Sequence, residues 1–422
     1  MAGVGQKFKN FVRRVPNAPA FRAFRYRDFR LLWTGAFISF TGVQVQGIAQ
    51  GYLVYKMTGD LAMLALIMFA TMVPVSFFGP VLGVFADILD RRKVMVISMI
   101  ILSLGSLFLG FAVTFNFIEY WHLIAIALVN GFVMTIETPA RQSIVREVVP
   151  EKELVAAVPT MAMTFNLARV AGPAIGAILI SQVGEGICFW VNALSFAGLI
   201  FATLAIRADL SPKLREPQPM RDLLTEGMLY VMKHKSLRVL FFMEATTSFF
   251  GIFYIALMPA IAKDMLGLGA VGLGKAMSSI GIGAFCGLIL LVSISHKPFK
   301  PLMGRIAMTT FAITMITLAY VKEPLLAYPL FALLGASTMI QFNTTNTLFQ
   351  LISPDRLRGR VLSMHMWAIT GFAPLGILLF GYVSQQSSLS TVFLIGGSAI
   401  GCGAALGWVF RGLVKEPELS AA

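Results

Sequence analysis

Four ionisable residues stand inside otherwise apolar stretches: Glu137, Arg141, Arg169 and Glu244. Charge is costly in such surroundings and persists where it pairs, binds or relays. Arg141 follows Glu137 by four residues, so the two can pair on one helix face. Glu137 and Arg169 each fall near the middle of consecutive apolar runs, which would place them at similar depth in adjacent helices. Two readings follow. In one, the acid exchanges arginine partners or receives a proton; in the other, a fixed ion pair locks two helices. Glu244 has no cation in its own run and is a second candidate proton carrier, unless it is simply solvated in a vestibule. A further set is uncharged: Gln46 and Gln50, four residues apart, Asn343 and Asn346, three apart, with Gln142 and Asn166. Buried amides need partners. They either bond between helices or line a wet cavity, and cavity lining is the expectation here. His365 opens an apolar run and reads as an interfacial side chain rather than a proton relay.

Other chemistry is not signalled. No metal-ligand spacing, Walker loop, Gly-x-Ser-x-Gly or His-Glu-x-x-His is present, so the sequence implies no cofactor, no direct use of ATP and no enzyme. Cys188, Cys286 and Cys402 lie in apolar runs without CxxC spacing and read as small core residues.

The elements that position these residues follow from composition. Of 422 residues, 57% are hydrophobic and 13% charged, with a mean hydropathy of +0.79. A soluble domain carries about 25% charged residues. The chain therefore reads as an all-α integral membrane protein. Apolar segments fall near 30–56, 61–85, 94–115, 121–149, 153–182, 187–206, 237–262, 270–294, 302–320, 325–351, 359–384 and 391–411, each able to cross a bilayer. The map predicts 12 transmembrane helices in two bundles, 30–206 and 237–411. Flanking them are a basic segment, 1–29, a linker, 207–236, with Pro212, Pro217 and Pro219, and a tail, 412–422. With both termini cytoplasmic, the inner segments hold 29 Lys and Arg. The outer ones hold four: Lys56, Lys263, Lys275 and Lys322. That asymmetry fixes orientation, and it accounts for the net charge of +14 without nucleic acid as a partner. The N-terminus has no cleavable signal pattern. The alternating aromatic and cationic groups of 21–30 suit a strip at the headgroups of membrane lipids.

A shift of 208 residues lays Phe29–Leu32 over Leu237–Leu240, Lys56-Met57 over Asp264-Met265 and Gly79 over Gly287. Further on, a shift of 204 lays Pro150-Glu151-Lys152 over Pro354-Asp355-Arg356. Six spans per copy put both copies in one orientation, a parallel repeat with a cavity between halves.

Two runs carry recognisable motifs. The first is Gly83-Val84-Phe85-Ala86-Asp87-Ile88-Leu89-Asp90-Arg91-Arg92-Lys93. The second is Asn166-Leu167-Ala168-Arg169-Val170-Ala171-Gly172-Pro173-Ala174-Ile175-Gly176, whose Gly-Pro weakens the helix ladder and permits a bend. Here the sequence resembles the major facilitator superfamily. Gly83, Asp87, Arg91 and Arg92 match its loop signature after the second span, with Ile88 where Arg is usual and Asp90 where Gly is common. Gly172, Pro173 and Gly176 match the fifth-span signature of its antiporter branches. Glu137-Thr138-Pro139-Ala140-Arg141-Gln142-Ser143 is similar to the branch containing the bacterial enterobactin exporter and related efflux proteins, in which Asp usually stands at the Glu position. The second-half counterpart of the loop signature, Ser295–Lys300, keeps basic groups but lacks the Gly and the acid. The resemblance implies a monomeric, proton-linked secondary transporter of a bacterial inner membrane. It would export a small amphipathic molecule, siderophore-like or drug-like, by alternating access, with Asp87, Arg91 and Arg92 as a conformational latch. Uptake or lipid flipping on the same fold is the alternative; a membrane-embedded sensor or enzyme is the more distant one, lacking a clustered catalytic set or an appended soluble domain.

Overall fold

The computed structural model describes residues 19–211, 220–294 and 300–414. The basic stretch before 19, Pro212, Pro217, Pro219, residues 295–299 and the tail beyond 414 lie outside the described residues. All the regular structure described is helical. The long elements are α1 (Arg27–Thr58), α2 (Leu61–Ile88), α3 (Arg91–Thr114), α4 (Tyr120–Glu147), α5 (Leu154–Gln182), α6 (Gly186–Ala205), α7 (Met220–Lys233), α8 (Lys235–Gly251), α9 (Ala270–Ser293), α10 (Lys300–Leu318), α11 (Pro324–Ile352), α12 (Arg358–Thr370), α13 (Ala373–Gln386) and α14 (Leu389–Val409).

Among the described residues, eleven helical stretches are long and apolar enough to cross a membrane. The expected twelfth is α1. Its 32 residues would reach across, but Gln44, Gln46 and Gln50 lower its apolarity. Polar side chains also fix the boundaries. The Asp90 carboxylate accepts from the backbone N–H of Arg92 and Lys93 at 2.9 and 3.1 Å, capping α3. Asp60 does the same for α2. Gly59 ends α1 in the left-handed region, φ 64°.

Two expected spans are interrupted. The seventh continues past α8 as short helical pieces, Phe253–Ala256 and Met258–Ala260, and a π-turn, Ile261–Met265. Pro259 has no N–H for the ladder there. The eleventh divides into α12 and α13, with Pro374 one residue inside α13. The linker contains a helix, α7, that the sequence reading did not anticipate.

The repeat is visible in the backbone. Offsets between corresponding helix starts run 208 (Arg27, Lys235), 209 (Leu61, Ala270), 209 (Arg91, Lys300), 204 (Tyr120, Pro324), 204 (Leu154, Arg358) and 203 (Gly186, Leu389). Corresponding contacts recur as well. A methyl group at Gly131 would overlap the carbonyl oxygen of Thr71, and one at Gly335 would overlap that of Ile280. Gly172 seats against Thr41 O and Gly376 against Phe249 O in the same way. These close approaches need glycine.

The two copies meet along α5 with α9 and α2 with α13. Ser278 Oγ donates to Val170 O at 2.9 Å, and Ser76 Oγ to Thr370 O at 2.5 Å. At the end away from the linker, the distal end, the Tyr55 hydroxyl donates to the Asp264 carboxylate and the Lys263 ammonium lies 5.2 Å from the Tyr55 ring centre. Tyr55 and Lys263 are 208 residues apart, so repeat-equivalent residues touch each other, which places the pseudo-twofold axis here. Towards the linker end, α5 and α9 instead expose apolar side chains: Val155 is 86% exposed and Val292 64%.

Candidate functional site

Glu137 is buried on α4, and its partner is Arg141. The guanidinium donates from Nε to Oε1 at 2.8 Å and from a terminal nitrogen to Oε2 at 3.5 Å. Thr138 Oγ1 donates to Oε2 at 3.3 Å. Arg141 stacks over the Phe40 ring at 4.3 Å. Phe40 meets Phe165 edge-on at 5.6 Å, and Arg169 lies 5.8 Å over Phe165. Charge and aromatic face thus alternate from α4 through α1 to α5. Beyond Arg169 stands Tyr254, fully enclosed.

This ladder corrects one expectation. Glu137 does not pair with Arg169 in this structure, because the i+4 arginine of its own helix satisfies the acid first and the Phe40 and Phe165 rings fill the space between. Among the described residues, no carboxylate lies within ion-pair distance of Arg169. A buried pair such as Glu137–Arg141 adds little net stability, yet breaking it by removing one partner is expensive.

Glu244, on α8, is completely enclosed, and His365, on α12, is 2% exposed. Glu244 Oε2 and His365 Nδ1 lie 2.6 Å apart, and Glu244 Oε1 has no hydrogen-bond partner among the described residues. The structure removes the solvated alternative for Glu244 and the interfacial reading of His365. The buried face of α12 reads Val361, Met364, His365, Ala368, an i, i+3, i+4, i+7 stripe that carries the imidazole inward. That stripe was the available signal. A carboxyl and an imidazole this close share a hydrogen. Uptake of one further proton converts a singly negative pair into a neutral one, with the second ring nitrogen as the additional site.

The amides divide: Gln46 and Gln341 bond between helices, whereas Asn166, Asn343 and Asn346 bond within their own. Gln46 Oε1 accepts from Ser106 Oγ and Asn192 Nδ2, both at 2.7 Å, joining α1, α3 and α6. Gln46 is buried, so it belongs to packing rather than to a cavity wall. Gln341 occupies the position equivalent to Glu137 at the 204 offset, and its Nε2 donates to Thr247 Oγ1 at 2.8 Å. Gln50 and Asn166 are buried; Asn166 Nδ2 donates to Ala162 O at 3.1 Å, and its Oδ1 has no partner among the described residues. Asn343 and Asn346 are half-buried and bond within their own helix, to Met339 O and Gln350 respectively. Gln142 is exposed.

The loop motif divides its contacts. Arg91 is buried and pairs with Glu147 at 3.3 Å. Arg92 donates to the carbonyls of Thr203, Leu204, Ile206 and Ala208, holding the end of α6. Gly83 and Asp87 fall within α2, but their side chains lie outside the described residues. Gly172 and Gly176 pack on α1, and Pro173 O faces Gly274 of α9. The α5 helix is continuous through Pro173. Among the described residues, no cluster of His, Cys, Asp and Glu could hold a metal.

Comparison with known proteins agrees with the fold and with the family that the motifs resemble. The chain is 23% identical over 400 residues to macrolide efflux protein A of Streptococcus pyogenes, covering 90% of this chain and 95% of that protein. It is 22% identical over 386 residues to the staphyloferrin A transporter of Staphylococcus aureus, covering 88% and 94%. Its fold superposes on the crystal structure of the nucleoside transporter NupG with a TM-score of 0.74 at 14% identity, over 92% of this chain and 99% of that one. A family model described as transmembrane secretion effector matches residues 18–420, and the chain therefore belongs to this family of major facilitator transporters.

Proposed function

We propose that this secondary transporter exports a small amphipathic molecule, with inward proton movement as its driving force and the Glu244–His365 pair as the proton site. The observation that carries the reading is that pair: an acid and an imidazole 2.6 Å apart, both enclosed within the second half. A coupling proton must be held out of bulk water and released on one side only. A pair that becomes neutral on protonation, inside a low-dielectric bundle, meets that need. Glu137 is the weaker candidate, because Arg141 already neutralises it. The Arg141–Phe40–Phe165–Arg169 strip supplies cationic and aromatic faces for the cargo.

The halves 30–206 and 237–411 are the units that move, about the axis marked by Tyr55 and Lys263. The contacts across the distal end, together with the exposed apolar ends of α5 and α9, fit a state closed distally and open towards the linker. The excess of Lys and Arg at the linker end argues for a cytoplasmic linker and cytoplasmic termini, in the inner membrane of a bacterium. Gly83, Asp87, Arg91 and Arg92 would latch the alternative state. The chain would act as a monomer.

The cargoes to test first are those named for the relatives, macrolides and staphyloferrin A. In a host lacking its own exporters, expression of the chain should lower cellular retention of at least one compound from a panel of these. A protonophore should abolish the effect. Raised retention would instead mean uptake.

A further inference from the structure

A cleft of about 300 Å³ opens between α8 and α14 near the linker end, away from the interface between the halves. Its walls are apolar, with Val239, Phe242, Met243, Leu406 and Phe410 among them, and Arg238 stands at its edge. Phe242 is 54% exposed and Leu406 57%, so the cleft faces the lipid rather than the protein interior.

Two more arginines lie beside it. Arg305, on α10, packs along Gly407 of the cleft wall, and its guanidinium sits 5.3 Å over the Trp408 ring. The buried Arg305 Nε has no hydrogen-bond partner among the described residues. Arg411 is close enough to Arg305 for their like charges to repel. Arg238 makes one long contact, to Met232 O at 3.4 Å. Among the described residues, no carboxylate lies within ion-pair distance of any of the three. Three cations without a counter-charge among the described residues, at the rim of an apolar cleft, call for a ligand that is anionic at one end and hydrocarbon at the other. At the depth where the linker end meets the headgroups, that ligand is a phospholipid. A free phosphate would leave the cleft empty of apolar contact.

We propose that the α8–α14 cleft binds an anionic phospholipid, its acyl chain against Phe242 and Leu406 and its phosphate among Arg238, Arg305 and Arg411. The site is separate from the transport pathway and adds to the function proposed above.

The test counts phosphatidylglycerol and phosphatidylcholine retained on the full-length protein by native mass spectrometry, after reconstitution in equimolar vesicles. The wild type should retain phosphatidylglycerol at least tenfold more readily. Arg238→Gln with Arg411→Gln, at two exposed positions, should reduce that preference at least fivefold, whereas Arg238→Lys with Arg411→Lys should keep most of it. Leu406→Trp, which fills the cleft without altering charge, should also displace the lipid. Equal retention of the two lipids by the wild type would overturn the proposal, as would an unchanged preference in the glutamine or tryptophan variant. Loss of the bound lipid to millimolar inorganic phosphate would show a simple anion site and overturn the lipid assignment.

Discussion

Tyr55→Phe removes a single oxygen from the contact that closes the distal end. The ring remains, so the Lys263 ammonium at 5.2 Å keeps its aromatic partner and only the hydrogen bond to Asp264 is lost. A hydrogen bond to a charged acceptor contributes about 1.5–3 kcal/mol when enclosed. Asp264 is exposed, so water replaces much of it, and about 1 kcal/mol is the appropriate figure. Because the bond joins the two halves, that energy favours the distally closed state alone. Its loss should shift the ratio of closed to open states by about fivefold. The assay is double electron-electron resonance between nitroxides at Phe117 and Lys322, one in a distal loop of each half, in a background without Cys188, Cys286 and Cys402. The short-distance population should fall in Tyr55→Phe, and by less in Asp264→Asn, which keeps an acceptor. An unchanged distance distribution in Tyr55→Phe would refute the gate.

Other perturbations test the packing around the site. Arg141→Met leaves Glu137 enclosed without a counter-charge and should cost about 3–5 kcal/mol, read as a lower unfolding temperature in detergent. Adding Glu137→Gln should recover most of that loss, and a double variant as unstable as the single one would contradict the pairing. Gln46→Leu strips Ser106 and Asn192 of a shared acceptor and should cost about 1–3 kcal/mol; combined with Asn192→Leu the loss should be less than additive. Single cysteines at 117–119 and 386–389 should react with an impermeant reagent from outside intact cells, whereas those at 213–219 should not.

Much of the architecture was legible because bilayer-crossing helices are written as long apolar runs. The reading 153–182 corresponds to α5, Leu154–Gln182, and 121–149 to α4, Tyr120–Glu147. The repeat was legible too, since weak matches at offsets of 208 and 204 became helix starts displaced by 203 to 209 residues. What stayed hidden depends on which faces meet. An amide such as Gln46 looks the same in sequence whether it lines water or bonds to Asn192. Lys56-Met57 aligned with Asp264-Met265, but alignment does not say that equivalents near an axis touch each other. Glu137 was placed with two arginines, and only packing decided that Phe40 and Phe165 separate it from the second. His365 was misassigned because its position at the start of a run outweighed the stripe it shares with Val361, Met364 and Ala368. The helix within the linker and the division between α12 and α13 were missed because neither changes overall hydropathy much.

The most direct test of proton coupling uses proteoliposomes with an acidic interior, containing the full-length protein, and a radiolabelled macrolide or staphyloferrin A outside. Outward proton movement should drive accumulation of at least one compound, and collapsing the gradient should stop it. Glu244→Gln, which keeps the size of the side chain but cannot ionise, should abolish gradient-driven accumulation while leaving gradient-independent exchange of the same compound intact. Gradient-driven accumulation by Glu244→Gln at the wild-type rate would contradict the assignment of the proton to Glu244 and His365.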